Sequence, residues 1–169
     1  MSGLKSRERL QPSLLDRLTD HAPSQKRDGP DQQVLNMAQL RQAVLRDLAA
    51  LLNTSNLDSL QDLSDFPLAA RSTLNFGMPG FAGMMDSPSR LVALEREIAE
   101  AIQTFEPRIR PQTLRVRLGG SHGEVTGTAV VFEIQGELWG QPAPVQLFLE
   151  TLIEVETRVA MVREVKDAR

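Results

Sequence analysis

The stretch Thr104-Phe105-Glu106-Pro107-Arg108-Ile109 separates a helical part of the chain from a strand-forming part. Upstream of it, apolar residues recur every three or four positions and line one face of a helix: Leu91, Leu94, Ile98, Ile102 and Phe105. Pro107 disfavours helical geometry at Glu106 and cannot donate a backbone hydrogen bond, so the helix must end there. The sequence predicts a helix over residues 88–105, followed by a rigid corner with a carboxylate at Glu106 and a guanidinium at Arg108.

A second long helix is predicted before this one, from near Gln33 to Leu52. Its apolar residues also share one face: Met37, Leu40, Val44, Leu45, Leu48, Leu51 and Leu52. Ser87 and Pro88 supply an N-cap and a first-turn proline for the helix that follows. Between the helices, residues 74–80 combine large apolar side chains with glycine and proline. They predict an ordered loop whose apolar residues are buried against the core.

After Pro107 the hydrophobic period changes from 3.6 to 2, which indicates β-strands. We expect strands over residues 113–118, 126–138, 145–155 and 158–165, with a glycine-rich turn at 119–123 and a last turn around Glu156 and Thr157. Gly136 predicts a bulge or a strand end. The predicted class is α+β: a small antiparallel sheet of three to four strands in the C-terminal half, packed against two long helices.

Residues 1–33 are predicted to form a flexible N-terminal segment, and residues 34–169 a single α+β domain. Within that segment, Leu14, Leu15 and Leu18 lie on a short amphipathic helix that Ser13 and Asp16 begin as a capping box. The leucines either dock back on the domain or bind in a partner's groove, and the sequence leaves both interpretations open.

Composition excludes several classes of function. The chain of 169 residues has no cysteine, which removes disulfides, thiolate metal sites and a cysteine nucleophile. Its net charge of −3 argues against a nucleic-acid partner. His21 and His122 are far apart in sequence and have no carboxylates at ligand spacing, so we expect no metal and no cofactor. No apolar run is long enough for a membrane span or a signal peptide, which predicts a cytoplasmic protein.

The corner at Glu106 admits two kinds of reading. As an enzyme, the chain could be a glycoside hydrolase in which Glu106 is the proton donor. A proton donor must stay protonated, whereas the nearby Arg108 favours the ionised carboxylate, and no second carboxylate stands out. We therefore predict no catalytic residue and no enzyme. The corner then either contacts a partner, because arginine makes planar bidentate bonds, or forms an ion pair within its own chain. The sequence does not choose between these two.

The order of segments resembles the TssE family, the baseplate subunits of bacterial type VI secretion systems, and the related lysozyme-like baseplate wedge proteins of contractile-tailed phages. Five segments carry the resemblance: Pro12 to Leu18, Leu45 to Thr54, Ser72 to Pro79, Phe105 to Ile109, and the strand around Phe132 to Gly136. One departure lies in the last hairpin turn, where family members often have glycine and this chain has Glu156, Thr157 and Arg158.

The resemblance implies a structural subunit that links baseplate wedge subunits and templates the contractile sheath by β-strand addition. Three groups of residues would then bind partners: Glu106, Pro107 and Arg108 at the wedge; Leu14, Leu15 and Leu18 as a second anchor; and Val159, Met161 and Arg163 on the last strand, towards sheath subunits. Such a protein is recruited from the cytoplasm to a baseplate at the inner membrane, and meets the membrane only indirectly. The alternatives are a peptidoglycan-cleaving hydrolase using Glu106 and a baseplate part of a phage-tail-like particle.

Overall fold

A computed structural model describes residues 13–19, 23–24, 36–80, 88–119, 129–139, 144–154, 157 and 159–165. Its helices are α1 (Leu14–Leu18), α2 (Met37–Leu52), α3 (Pro67–Ala70) and α4 (Pro88–Phe105), with single 3₁₀ turns at Leu57–Ser59 and Thr73–Asn75. Its strands are β1 (Arg115–Leu118), β2 (Ala129–Leu138), β3 (Val145–Glu154) and β4 (Ala160–Glu164). Several predicted segments lie outside the described residues: the linker after Thr19 except residues 23–24, Ser87, the glycine-rich turn after Gly119, and Glu156 and Arg158 of the last turn.

The two long helices form where the apolar period places them. Helix α2 begins at Met37, later than the predicted start near Gln33, because Asn36 and Gln39 form a reciprocal capping box. Helix α4 spans the predicted range and ends before Pro107. The predicted apolar faces of both helices meet in one core with the sheet. The residues with almost no exposure there include Val44, Leu48, Leu52, Leu94, Ile98 and Ile102.

The four strands form one antiparallel sheet in the order β1-β2-β3-β4, so each strand pairs with its neighbour in sequence. One face is buried against the helices, as the alternation predicted: Val130, Phe132 and Ile134 on β2, and Leu147, Leu149 and Ile153 on β3. Thr151 shares the buried face of β3. Helix α4 contacts β1, and α2 contacts β4. The α+β prediction is confirmed, with β1 and β4 as the two edges of the sheet.

Two local predictions are wrong. Gly136 forms neither a bulge nor a strand end, because β2 and β3 pair in one continuous register through Gly136 and Leu147. A Cβ at Gly136 would lie 2.9 Å from Cγ2 of Ile109, so the glycine instead lets the segment after Pro107 pack closely on β2. In the ordered loop, Met78 is buried as expected, but Leu74 is 71% exposed.

Candidate partner-binding sites

The carboxylate of Glu106 is engaged by its own protomer. Arg108 donates from Nε to Oε1 (2.6 Å) and from Nη2 to Oε2 (2.5 Å), and its backbone N–H donates to Oε1 (3.2 Å). The end of α4 positions both groups, since Ile109 N bonds back to Glu106 O across Pro107. Glu106 is only 3% exposed, whereas Pro107 is exposed and Arg108 is half-buried. The bidentate ion pair within the chain, one of the two interpretations left open, is thus present.

This ion pair continues into a chain of alternating charges that reaches α1. Arg108 Nη2 also donates to Asp47 Oδ2 (2.6 Å) on α2. Arg46 donates from Nε to Asp47 Oδ1 (2.9 Å) and from Nη1 to Asp16 Oδ1 (2.6 Å) on α1. Burial alone would lower the pKa of Arg108, but the hydrogen bonds and charges of Glu106 and Asp47 outweigh it and raise that pKa. Three separate elements are therefore joined through paired charges.

A cavity of about 410 Å³ lies beside the corner. Its wall is mostly apolar and is formed by α2, the loop before α4, the end of α4 and the corner itself. Phe76 and Phe105 meet there edge to face, with ring centroids 5.4 Å apart. Ser13 also lines this cavity, which places the start of α1 next to Glu106 and Arg108.

Helix α1 is attached to the domain through Asp16, which bonds Arg46 of α2, and turns its leucines outward. The predicted capping box of Ser13 and Asp16 is present. Burial alone would raise the pKa of Asp16, but hydrogen bonds from Ser13 and Arg46 outweigh it and lower that pKa. Leu14, Leu15 and Leu18 are 57–73% exposed. The leucines therefore do not dock on the described part of their own domain.

The outer edge of β4 is the third predicted site. Val165 N donates to Phe148 O, and Glu154 N donates to Val159 O. The backbone N–H and C=O groups of the odd-numbered residues in this segment therefore point to β3. Antiparallel pairing then turns the N–H and C=O of Ala160, Val162 and Glu164 towards the open edge. No described residue forms a hydrogen bond with the backbone N–H or C=O of Val162 or Glu164. Val159 and Met161 are exposed, and Arg163 is ion-paired with Glu150 across the strands.

Sequence reasoning missed Asn53, whose side chain lies on that edge. It accepts a hydrogen bond from Ala160 N (2.9 Å) and donates one to Ala160 O (2.8 Å). The other edge is covered differently, because Glu95 of α4 accepts a hydrogen bond from Leu118 N (2.5 Å). No local sequence pattern signals a contact 107 residues away. Arg46 and Asp47 were missed for the same reason.

Glu97, which lies on α4 away from the corner, has a raised pKa. Burial raises the pKa of Glu97, and the negative charge of Glu100 adds to it. Its Oε2 is buried and has no hydrogen-bond partner among the described residues. Glu97 lies in a polar groove with Asn56, Asp58 and Asn75. Within the described part of the chain, no cluster of carboxylates and imidazoles could hold a metal ion, and no helix is long and apolar enough to cross a membrane.

Comparison with known proteins identifies the family of this chain. No curated protein matches the chain significantly. A crystal structure described as a "putative tail lysozyme" from Geobacter sulfurreducens aligns with 80% of this chain and 98% of its own length, at 17% identity and a TM-score of 0.42. A similarity this weak carries no conclusion about function. The family model of baseplate wedge protein gp25 matches residues 38–143, which is more than half of the chain and contains all of α2 except Met37, together with α4, the corner, β1 and β2. The chain therefore belongs to the gp25 family of baseplate wedge proteins.

Proposed function

We propose that this chain is a structural subunit of a type VI secretion baseplate that joins wedge subunits and offers β4 to the contractile sheath. Membership of the baseplate wedge family supports a structural role in a baseplate and association with other baseplate components. The observation that carries the proposal is the open edge of β4 at Val162 and Glu164. Unpaired backbone groups at a sheet edge are the element that strand addition uses.

The three predicted groups of residues have distinct parts in this proposal. Val159, Met161 and Arg163 border the edge to which a sheath subunit adds a strand. Pro107 and Arg108 contact the wedge, and the buried Glu106 holds the guanidinium of Arg108 in place. Leu14, Leu15 and Leu18 supply the second anchor. The subunit acts in the cytoplasm and reaches the inner membrane only through the assembled baseplate.

A proline at position 162 tests the strand addition. The N–H of Val162 points away from β3, so Val162→Pro removes an edge donor without removing a hydrogen bond of the β3–β4 hairpin. We expect a folded protein that still binds wedge subunits but no longer nucleates sheath, measured by co-purification and by electron microscopy of sheath growth. Val162→Thr keeps the N–H and similar bulk, and it should nucleate normally. Sheath growth on the proline variant at the wild-type level would overturn the proposal.

The hydrolase alternative lacks a supporting observation at the corner. A general acid must hold a proton and reach its substrate, whereas Glu106 is buried and bonded three times by Arg108. We expect no release of soluble fragments from peptidoglycan by the purified protein. Turnover that disappears in Glu106→Gln would favour the hydrolase instead. A phage-tail-like particle would use the same architecture, and the genes next to this one separate it from a secretion system.

A further inference from the structure

The open edge of β4 is already occupied at one residue, by a side chain rather than by a strand. The amide of Asn53 accepts from Ala160 N and donates to Ala160 O, at 2.9 and 2.8 Å. A neighbouring antiparallel strand would present the same acceptor and the same donor at this place. The Asn53 amide therefore stands in for the N–H and C=O of one residue of a fifth strand.

The end of α2 holds this amide in place. Asn53 Nδ2 also donates to Ala49 O (2.7 Å), and Asn53 N donates to Ala49 O (3.1 Å). Ala160 is 3% exposed, so its N–H and C=O would be buried without a partner if the amide swung away. A strand that arrives at Ala160 must displace a fixed and satisfied group. At Val162 and Glu164 it meets backbone N–H and C=O groups that have no partner among the described residues, although the side chain of Glu164 is ion-paired with Arg41 of α2.

We propose that Asn53 sets the register in which a strand from another subunit adds to β4. This inference rests on the proposed function and specifies how its strand addition is aligned. The incoming strand pairs with Val162 and Glu164 and stops where the Asn53 amide stands. Side chains of a strand alternate between faces, so the next register that keeps the same face against the core is shifted by two residues, to Ala160 and Val162. Asn53 blocks that register.

Disulfide cross-linking reads the register directly, because the native chain contains no cysteine. Met161 faces solvent, and its N–H points to β3, so across the open edge it occupies a non-hydrogen-bonded position. Such positions bring Cα atoms to about 4.5 Å, within disulfide range. The probe is a sheath subunit of the same contractile machine, with single cysteines placed in turn along its added strand. With Met161→Cys alone, we expect one partner position to cross-link.

Asn53→Ala in the Met161→Cys background should add a second cross-linked position, two residues along the partner strand and in comparable yield. Asn36→Ala is the matched control, since it removes a cap from the other end of α2 without touching β4, and it should keep the single position. Asn53→Asp retains the acceptor for Ala160 N but loses the donor. It should shift part of the product even if the alanine variant folds poorly.

The outcomes separate the two proposals. A single unshifted cross-link in both Asn53 variants, with faster amide exchange at Ala160 as evidence that its partner is gone, would overturn register setting and leave strand addition standing. No cross-link at any partner position with Met161→Cys alone would overturn strand addition itself. A shift in Asn36→Ala as large as in Asn53→Ala would show that general loosening of α2 is the cause, and this too would overturn the inference.

Discussion

At the scale of single residues, the partners of Arg108 contribute unequally to stability. Arg108→Ala leaves the carboxylate of Glu106 buried without a counter-charge, because its side chain is only 4% exposed. We expect a loss of about 3–5 kcal/mol in the free energy of unfolding. Asp47→Asn leaves Arg108 bonded to Glu106 and should cost about 1 kcal/mol. Urea unfolding measures both values, and equal losses would contradict the dominance of the Glu106 pair.

Glu97 gives a pH-dependent prediction in which the substitution raises stability instead of lowering it. Its pKa in the folded chain is raised above the usual 4.5, so ionisation is less favourable folded than unfolded. The resulting destabilisation is full above the raised pKa and absent well below 4.5, where both states are protonated. Glu97→Gln should therefore raise the free energy of unfolding at pH 7, by no more than about 0.5 kcal/mol at a partly exposed site. The gain should vanish as the pH falls to 3.5 in thermal unfolding followed by circular dichroism. Glu100→Gln removes only the smaller cause, the neighbouring negative charge, so its gain should be smaller than that of Glu97→Gln. An equal gain for Glu97→Gln at pH 7 and pH 3.5 would contradict the burial of Glu97.

The sequence predicted which residues stand at the corner but not what each one contacts. Pro107 fixes the turn locally, so Glu106 and Arg108 could be placed beside each other from the sequence alone. Asp47 lies 61 residues before Arg108, and its carboxylate reaches the guanidinium only because α2 packs against α4. Asn53 meets β4 in the same way. Long-range polar pairs depend on packing, which periodicity does not describe.

At the scale of elements, we predict that the leucines of α1 contribute to partner binding but not to the stability of the fold. Replacing Leu14, Leu15 and Leu18 together by serine removes side chains that no described part of the domain covers. We expect the free energy of unfolding to change by less than about 0.5 kcal/mol, and binding to purified wedge subunits to weaken at least tenfold. Binding is measured by biolayer interferometry on the full chain.

The matched control for the α1 variant replaces a buried leucine of the core by a smaller residue. Leu48→Ala in the core should cost about 2–5 kcal/mol and leave the leucine face of α1 intact. A triple serine variant that destabilised the fold as strongly would show that α1 docks on its own domain. Unchanged wedge binding in that variant would remove α1 from the interface.

Elements were predictable where hydrophobic period and caps agree. The apolar stripes of α2 and α4 and the alternation of β2 and β3 each follow from burial of one face. Boundaries and loops were less predictable, because they depend on particular contacts. The start of α2 follows from the Asn36–Gln39 capping box. The need for glycine at position 136 follows from the close approach of the Ile109 side chain. Leu74 contradicted the expectation of burial because the 3₁₀ turn at Thr73–Asn75 buries Asn75 instead.

At the scale of the whole molecule, α2 connects the two proposed partner regions. Asp47 on this helix bonds Arg108 at the corner, and Asn53 at its end bonds Ala160 at the edge of β4. The buried face of α2 packs into the common core between them. A subunit that joins a wedge to a sheath must keep its two contacts at a fixed separation, and a core helix attached to both provides that.

Two variants should separate the two contacts. Arg108→Lys keeps a positive charge beside Glu106 but loses the planar fork, so it should fold while binding wedge subunits about tenfold more weakly. Val162→Pro should bind the wedge normally and fail to nucleate sheath. Effects at sites without shared contacts add as free energies, so the double variant should show the wedge affinity of the first and the sheath defect of the second. Titration of wedge subunits, followed by sheath growth on the wedge-bound fraction, measures both. If wedge-bound Arg108→Lys also failed to nucleate sheath, the corner would act on the edge through α2, and the two regions would form a single coupled site.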